Sequence, residues 1–388
     1  MKILLFSFSD NKGGAANASY SIYLGLKKLI KRIEFLCLDK RKKYTKLLSK
    51  NIYYTNCLRF FEKFLIIFFK RCYHQSLNIF SSFNLKKLNS LNYDILNIHW
   101  FNRSSLSLNE VLQLKNKVVF SLHDMWFVNA SSHYSKNFEG NDNFIEKYII
   151  NLKKKIFLKR NFFFIVHTEW LLNILKKKFK FTKKKVFLCK YYPIDTNLFK
   201  PRNKKILRKK YNIPRNKTVI VFSSHNINDP RKGHIFYEKI ISNLQKNFFF
   251  ISIGSGHAKN NLLSIKNYKN LDFLDHASIS EIYSLSDIYL CLSSLDNLPL
   301  TVLEAMSSGL CVISFDNGGV KEVLKNNGYL VKNKNYYKII SILKNINNKT
   351  ILLKSRLSRN FALKHFKIRL ISQKYFNIFK QINKINVS

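Results

Sequence analysis

The chain has 388 residues, 46% of them hydrophobic, and carries 68 lysines and arginines against 22 aspartates and glutamates, a formal charge of +46. That apolar content excludes a disordered polyelectrolyte, and the length predicts two domains. The charge points to anionic partners, yet Lys, Asn, Ile, Phe and Tyr are also the residues that an AT-rich genome enriches.

The basic residues are spread over every segment and no nucleic-acid-binding module appears, so no nucleic acid partner is expected. The cysteines (Cys37, Cys57, Cys72, Cys189, Cys291, Cys311) form no C-x-x-C pair. They read as reduced thiols of a cytoplasmic protein, with neither a disulfide framework nor a metal site. The most apolar stretch, 60–69, is interrupted by Glu62 and Lys63. It falls short of the roughly 20 residues of a membrane span, and no signal peptide is expected.

In chain order, apolar runs at Lys2–Ser9, Ile33–Asp39, Tyr93–Trp100, Lys117–Asp124 and Phe162–Thr168 predict strands separated by helices. After Pro193 the rhythm restarts with Thr218–Ser224, Phe248–Gly254, Asp287–Ser293 and Leu310–Phe315. Near-continuous apolar strands alternating with helices predict parallel sheets covered on both faces, hence two doubly wound α/β halves. Ser355–Ser388 reads as one helix. The expected division is 1–198, 199–360 and a C-terminal helix 361–388 crossing back to the first domain.

Ligands of such sheets bind beyond the strand carboxyl ends. There, Gly13-Gly14 precede a predicted helix and let a phosphate approach its amides. Gly254-Ser255-Gly256 is followed by Lys259 where a dinucleotide fingerprint needs a third glycine. His123-Asp124 closes the fourth run, a place from which a histidine donates to substrate hydroxyls; His99 and His133 are weaker candidates. In Asp229-Pro230-Arg231-Lys232-Gly233, two cations stand before a helix, the composition of a phosphate clamp. Last, Asp296-Asn297-Leu298-Pro299-Leu300 leads into a helix carrying Glu304 among Leu303, Ala305 and Met306. A capped surface helix does not explain that acid; a ribose diol to be hydrogen-bonded does.

These residues resemble glycosyltransferase family 4, retaining enzymes of the GT-B fold. The likeness rests on Asp296 and Glu304 eight positions apart with Ala305-Met306 and Gly309 following, and on Gly318-Gly319 with Glu322. His123-Asp124-Met125-Trp126 with His133-Tyr134-Ser135 resembles a bacterial subgroup that builds surface polysaccharides. Pro193-Ile194-Asp195 and 197–201 look like the family's interdomain linker.

The resemblance implies two Rossmann-like domains facing a cleft. It makes Glu304 the ribose acid, Lys232 the diphosphate clamp, His123 a ligand of the transferred sugar, and Gly13-Gly14 a loop near the diphosphate. It implies a nucleoside-diphosphate-sugar donor, a glycan or lipid-linked acceptor, and no metal or cofactor. Two positions depart from the pattern: Asp296 is one methylene shorter than the usual Glu, and Asn226 stands where many members have a phosphate-binding Arg. The basic first half and the aromatic-rich stretch 58–69 are expected to suit an anionic membrane surface. The competing expectations are a basic nucleic-acid-binding protein and a catalytically inactive scaffold of the same family.

Overall fold

The computed structural model describes residues 1–47, 52–68, 75–82, 85–135, 144–256 and 260–386; Phe69, Cys72 and Lys259 lie outside them. Contacts divide the chain into a first unit, 1–191 with 369–388, and a second unit, 192–368.

The first unit holds a seven-stranded parallel sheet: β1 (Lys2–Ser9), β2 (Arg32–Asp39), β3 (Lys46–Leu47), β4 (Ile95–Ile98), β5 (Lys117–Leu122), β6 (Phe162–Val166) and β7 (Val186–Leu188), in the order β3-β2-β1-β4-β5-β6-β7. The second unit holds six parallel strands: β8 (Thr218–Asn226), β9 (Phe248–Ser255), β10 (Tyr268–Leu271), β11 (Ile288–Cys291), β12 (Cys311–Phe315) and β13 (Gly328–Val331), ordered β10-β9-β8-β11-β12-β13.

The expected two α/β halves are present. The central strands β1, β5, β6, β11 and β12 are buried almost throughout, which is why their sequences run apolar without alternation. Strand order reverses at β1/β4 and β8/β11, so loops leaving these strands diverge and leave a crevice at each carboxyl end.

The single helix expected over Ser355–Ser388 is instead two, Asn348–His365 and Ile368–Lys384. The break has a backbone cause. Ile194 N donates to the Phe366 carbonyl at 2.8 Å, and Ile194 bridges Lys367 as a strand would. The second of these helices belongs to the first unit.

Candidate functional site

In the second unit, the loops leaving β8 and β11 meet. Asp229 caps a short 3-10 turn, Pro230–Lys232, by accepting from Arg231 N at 3.0 Å. Gly233 ends the turn at φ 78, where a Cβ would lie 2.1 Å from the Leu292 carbonyl oxygen. Only glycine fits so close an approach in the left-handed region. The turn is thereby pressed onto the end of β11, and Ser294 N donates to the Arg231 carbonyl at 2.8 Å.

Both cations then reach Asp296. Its Oδ2 accepts from Lys232 Nζ at 2.6 Å and from Arg231 Nη1 at 3.0 Å. Burial alone would push the Asp296 carboxyl up, but Lys232 and Arg231 outweigh it and hold it at about 2. Asn297 is fixed from two sides: Gly319 N donates to its carbonyl at 2.7 Å, and its amide donates to Tyr192 Oη at 3.2 Å. Gly318, at φ 53, leaves no room for a Cβ against the Asp296 carbonyl.

Leu298 is buried, Pro299 sets the entry angle, and the helix Leu300–Ser307 begins without a side-chain cap. Its first-turn amides are therefore available to an anion. Glu304 lies one turn further along, 7% exposed. Among the described residues its carboxylate has no hydrogen bond or ion pair, and burial raises it to about 7. A buried carboxylate without a partner is costly, and donors brought by a ligand would satisfy it. Asn226, which stands in place of a phosphate-binding Arg, accepts at Oδ1 from Asn228 N at 2.9 Å and shapes the turn.

In the first unit, Gly13 stands at φ 90 ahead of the helix Gly14–Leu26, and a Cβ there would meet nothing within 4 Å. The loop is open at this point, as a phosphate approach requires. His99, His123 and His167 are each the first residue after β4, β5 and β6. His99 Nδ1 and His123 Nε2 are 3.0 Å apart, and His123 stacks on His167 with centroids 5.7 Å apart.

The His167 tautomer follows from its partners. Nδ1 faces the carbonyls of Cys189 and Tyr191 at 3.1 and 3.2 Å, so it carries the proton. Nε2 lies 3.0 Å from Tyr375 Oη, a hydroxyl that also reaches Ser121 Oγ at 3.0 Å. Burial, then neighbouring imidazoles, lowers His99 to about 3 and His123 well below its usual value; burial takes His167 to about 4. All three rings are neutral at physiological pH.

His133 does not join them. It holds Asp124 at 2.6 Å and Ser76 at 3.0 Å, bracing the loop after β5. Burial alone would raise Asp124, but His133 keeps it ionised. Sequence reasoning overlooked His167 and Tyr375; a histidine directly after each of three neighbouring strands was the available signal for the first. Among the described residues, no group of three or more His, Cys, Asp or Glu is placed to hold a metal ion.

Residues 203–360 match the family Glycosyl transferases group 1. An uncharacterized glycosyltransferase of Haemophilus influenzae is 27% identical over 238 residues, covering 56% of this chain and 58% of that relative's length. The Anabaena protein HepE, in complex with UDP-glucose, superposes with a TM-score of 0.69 at 15% identity, over 98% of this chain and 99% of that one. WaaG, a glycosyltransferase involved in lipopolysaccharide biosynthesis, does so with a TM-score of 0.67 at 11% identity, over 97% and 99%. The fold is that of these GT-B glycosyltransferase structures, two Rossmann-like parallel-sheet domains. The family match covers the residues that assemble Lys232, Asp296 and Glu304.

Proposed function

We propose that this chain is a retaining glycosyltransferase moving a sugar from a nucleoside-diphosphate sugar to a glycan or lipid-linked acceptor in surface-polysaccharide synthesis. The observation that carries the reading is Glu304, a buried carboxylate without a hydrogen-bond or ion-pair partner among the described residues, on a helix whose amino end has no side-chain cap. Such a pair suits a ribose diol and a diphosphate, two groups that one nucleotide supplies together.

The leaving diphosphate develops charge as the sugar departs. Lys232, Arg231 and the first-turn amides are set in place beforehand to meet it, which is electrostatic stabilisation without reorganisation. Asp296 holds both cations in the free protein, so the incoming diphosphate shares Lys232 with it. No metal or cofactor is assigned to this step. In the first unit His123 is a neutral group that can donate to or accept from sugar hydroxyls.

We further assign a peripheral contact with anionic membrane to the helix Ile52–Phe68. Tyr53, Phe60, Phe61, Phe64 and Ile67 are 54–85% exposed along it, while its one acid, Glu62, is buried. The outward face thus pairs aromatic rings with Lys63 and no carboxylate, which suits an interface of anionic headgroups. No helix of the described residues is long and apolar enough to cross a membrane.

A thermal-shift and donor-hydrolysis panel over UDP-, GDP-, ADP- and dTDP-sugars tests the donor reading. One donor should raise the melting temperature of the native chain and leave Glu304→Ala unmoved. If no nucleotide sugar shifts the native chain, or Glu304→Ala responds equally, the reading fails. Flotation with anionic vesicles tests the membrane contact: Phe60→Ser with Phe64→Ser should abolish binding, and unchanged binding removes the assignment.

A further inference from the structure

Phe8 lies near the end of β1 and Trp100 follows β4, their rings edge to face with centroids 6.0 Å apart. Two guanidinium groups stand over Phe8: Arg59 at 5.4 Å from the ring centroid and Arg103 at 5.5 Å. Arg103 is also 5.5 Å from the Trp100 centroid. Among the described residues the Arg103 side chain makes no hydrogen bond or ion pair, and that of Arg59 donates only to Asn56 Oδ1, at 3.3 Å. Two cations are gathered on one ring, and the one carboxylate that acts on Arg103, Asp39, forms its ion pairs with Lys12 and Arg41 instead. Burial, then the neighbouring Arg59, lowers Arg103 below its usual value, and Asp39 offsets only part of this.

The loop beneath Arg103 is built at some expense. Arg103 and Ser104 both adopt left-handed backbone, φ 60 and 52, a conformation that residues with side chains keep only where surroundings impose it. Here the surroundings are a buried polar network. Ser104 Oγ donates to Glu62, whose other oxygen accepts from Leu77 N at 2.6 Å and Asn78 N at 3.1 Å. Asn78 donates to the Phe101 and Leu106 carbonyls, both at 3.0 Å, and accepts from Asn102 at 3.2 Å. Glu62, three residues after Arg59, is thus committed to the loop's backbone and not to the arginines.

We propose that Arg59 and Arg103 form an anion subsite of the first unit that takes the phosphate of a phosphorylated acceptor. This rests on the glycosyltransferase reading above. Two guanidinium forks match the spread of oxygens and double charge of a phosphate better than a single carboxylate. The aromatic floor holds both forks, and among the described residues Asn56 alone takes a hydrogen bond from either. Soluble sugar phosphates and phosphate-linked lipids both present this group.

The test is a titration of the full chain carrying Lys232→Ala, which removes the half-buried cation proposed to meet phosphate in the second unit, followed by tryptophan emission because Trp100 touches the subsite. Inorganic phosphate should bind, and acetate at equal ionic strength should bind at least tenfold more weakly. Arg103→Asn, which tolerates left-handed backbone, and separately Arg59→Gln should each weaken phosphate at least tenfold with unchanged melting temperature. Should both variants keep phosphate affinity within twofold, or acetate match phosphate, the subsite is refuted. Glucose 1-phosphate and phosphatidic acid vesicles then assign the source; response to neither also refutes it. Failure of the donor reading would show separately, since the nucleotide-sugar panel uses neither arginine.

Discussion

At the carboxyl end of the first sheet three imidazoles lie together with no charge among them, while at the same end of the second a carboxylate and two cations interlock beside a lone glutamate. Both ends are buried, and burial acts in the same sense on each: it disfavours charge, lowering the histidines and raising Glu304. Asp296 escapes because Lys232 and Arg231 sit within hydrogen-bond distance. The same strand-end scaffold therefore yields a neutral surface where no counter-ion is supplied and a charged one where it is. The neutral end suits hydroxyl groups, the charged end phosphates.

The contrast breaks most sharply at Asp296. Asp296→Asn leaves the half-buried Lys232 and Arg231 against a neutral amide, and should cost about 2–3 kcal/mol in urea unfolding at pH 7. Because the native carboxyl is held near 2, below its ordinary 3.8, its contribution is full above that ordinary value and is lost as pH falls towards 2. A variant as stable as the native chain at pH 7 would mean the pair contributes nothing. Lys232→Ala should lower kcat/KM for the donor by about 10²–10³-fold, the usual effect of removing one preorganised donor to developing charge.

Glu304 gives a pH dependence of both signs. Its native carboxyl, near 7, lies above the ordinary 4.5, so the free protein is most stable below that ordinary value and loses stability as pH rises through 7. A diol requires the ionised form, so donor affinity should instead rise with pH, by up to about tenfold per unit below 7. Calorimetry from pH 5 to 8 would show it, and Glu304→Gln should flatten both slopes. The smallest effect tests the neutral end: Tyr375→Phe removes the hydroxyl shared by His167 and Ser121 and should cost about 1 kcal/mol in thermal melting. Its histidine NMR signals should shift at His167 while the second unit's signals stay in place.

What the sequence disclosed follows the same physics. Strands buried on both faces were readable as apolar runs, whereas β3, β10 and β13 have two to four residues, partly exposed or carrying Lys and Asn, and leave no pattern. Glu304 was legible because an acid between Leu303 and Ala305 has no other account. The pairing of Lys232 with Asp296 was not, since 64 residues separate them and only the folded loops bring them together. Nor was the break before Ile368, which depends on a hydrogen bond from Ile194.

The return of 369–388 to the first unit makes the second unit an insertion within the first. Neither end of the inserted body is a chain terminus, so cutting the gene once cannot release a whole first unit. A fragment stopping at Tyr191 would leave His167 and Ser121 without the Tyr375 hydroxyl that meets both. A splice joining 191 to 369 would restore it. Recombination between relatives of this chain should accordingly tolerate two-point exchange of 192–368 far better than any single crossover between the units.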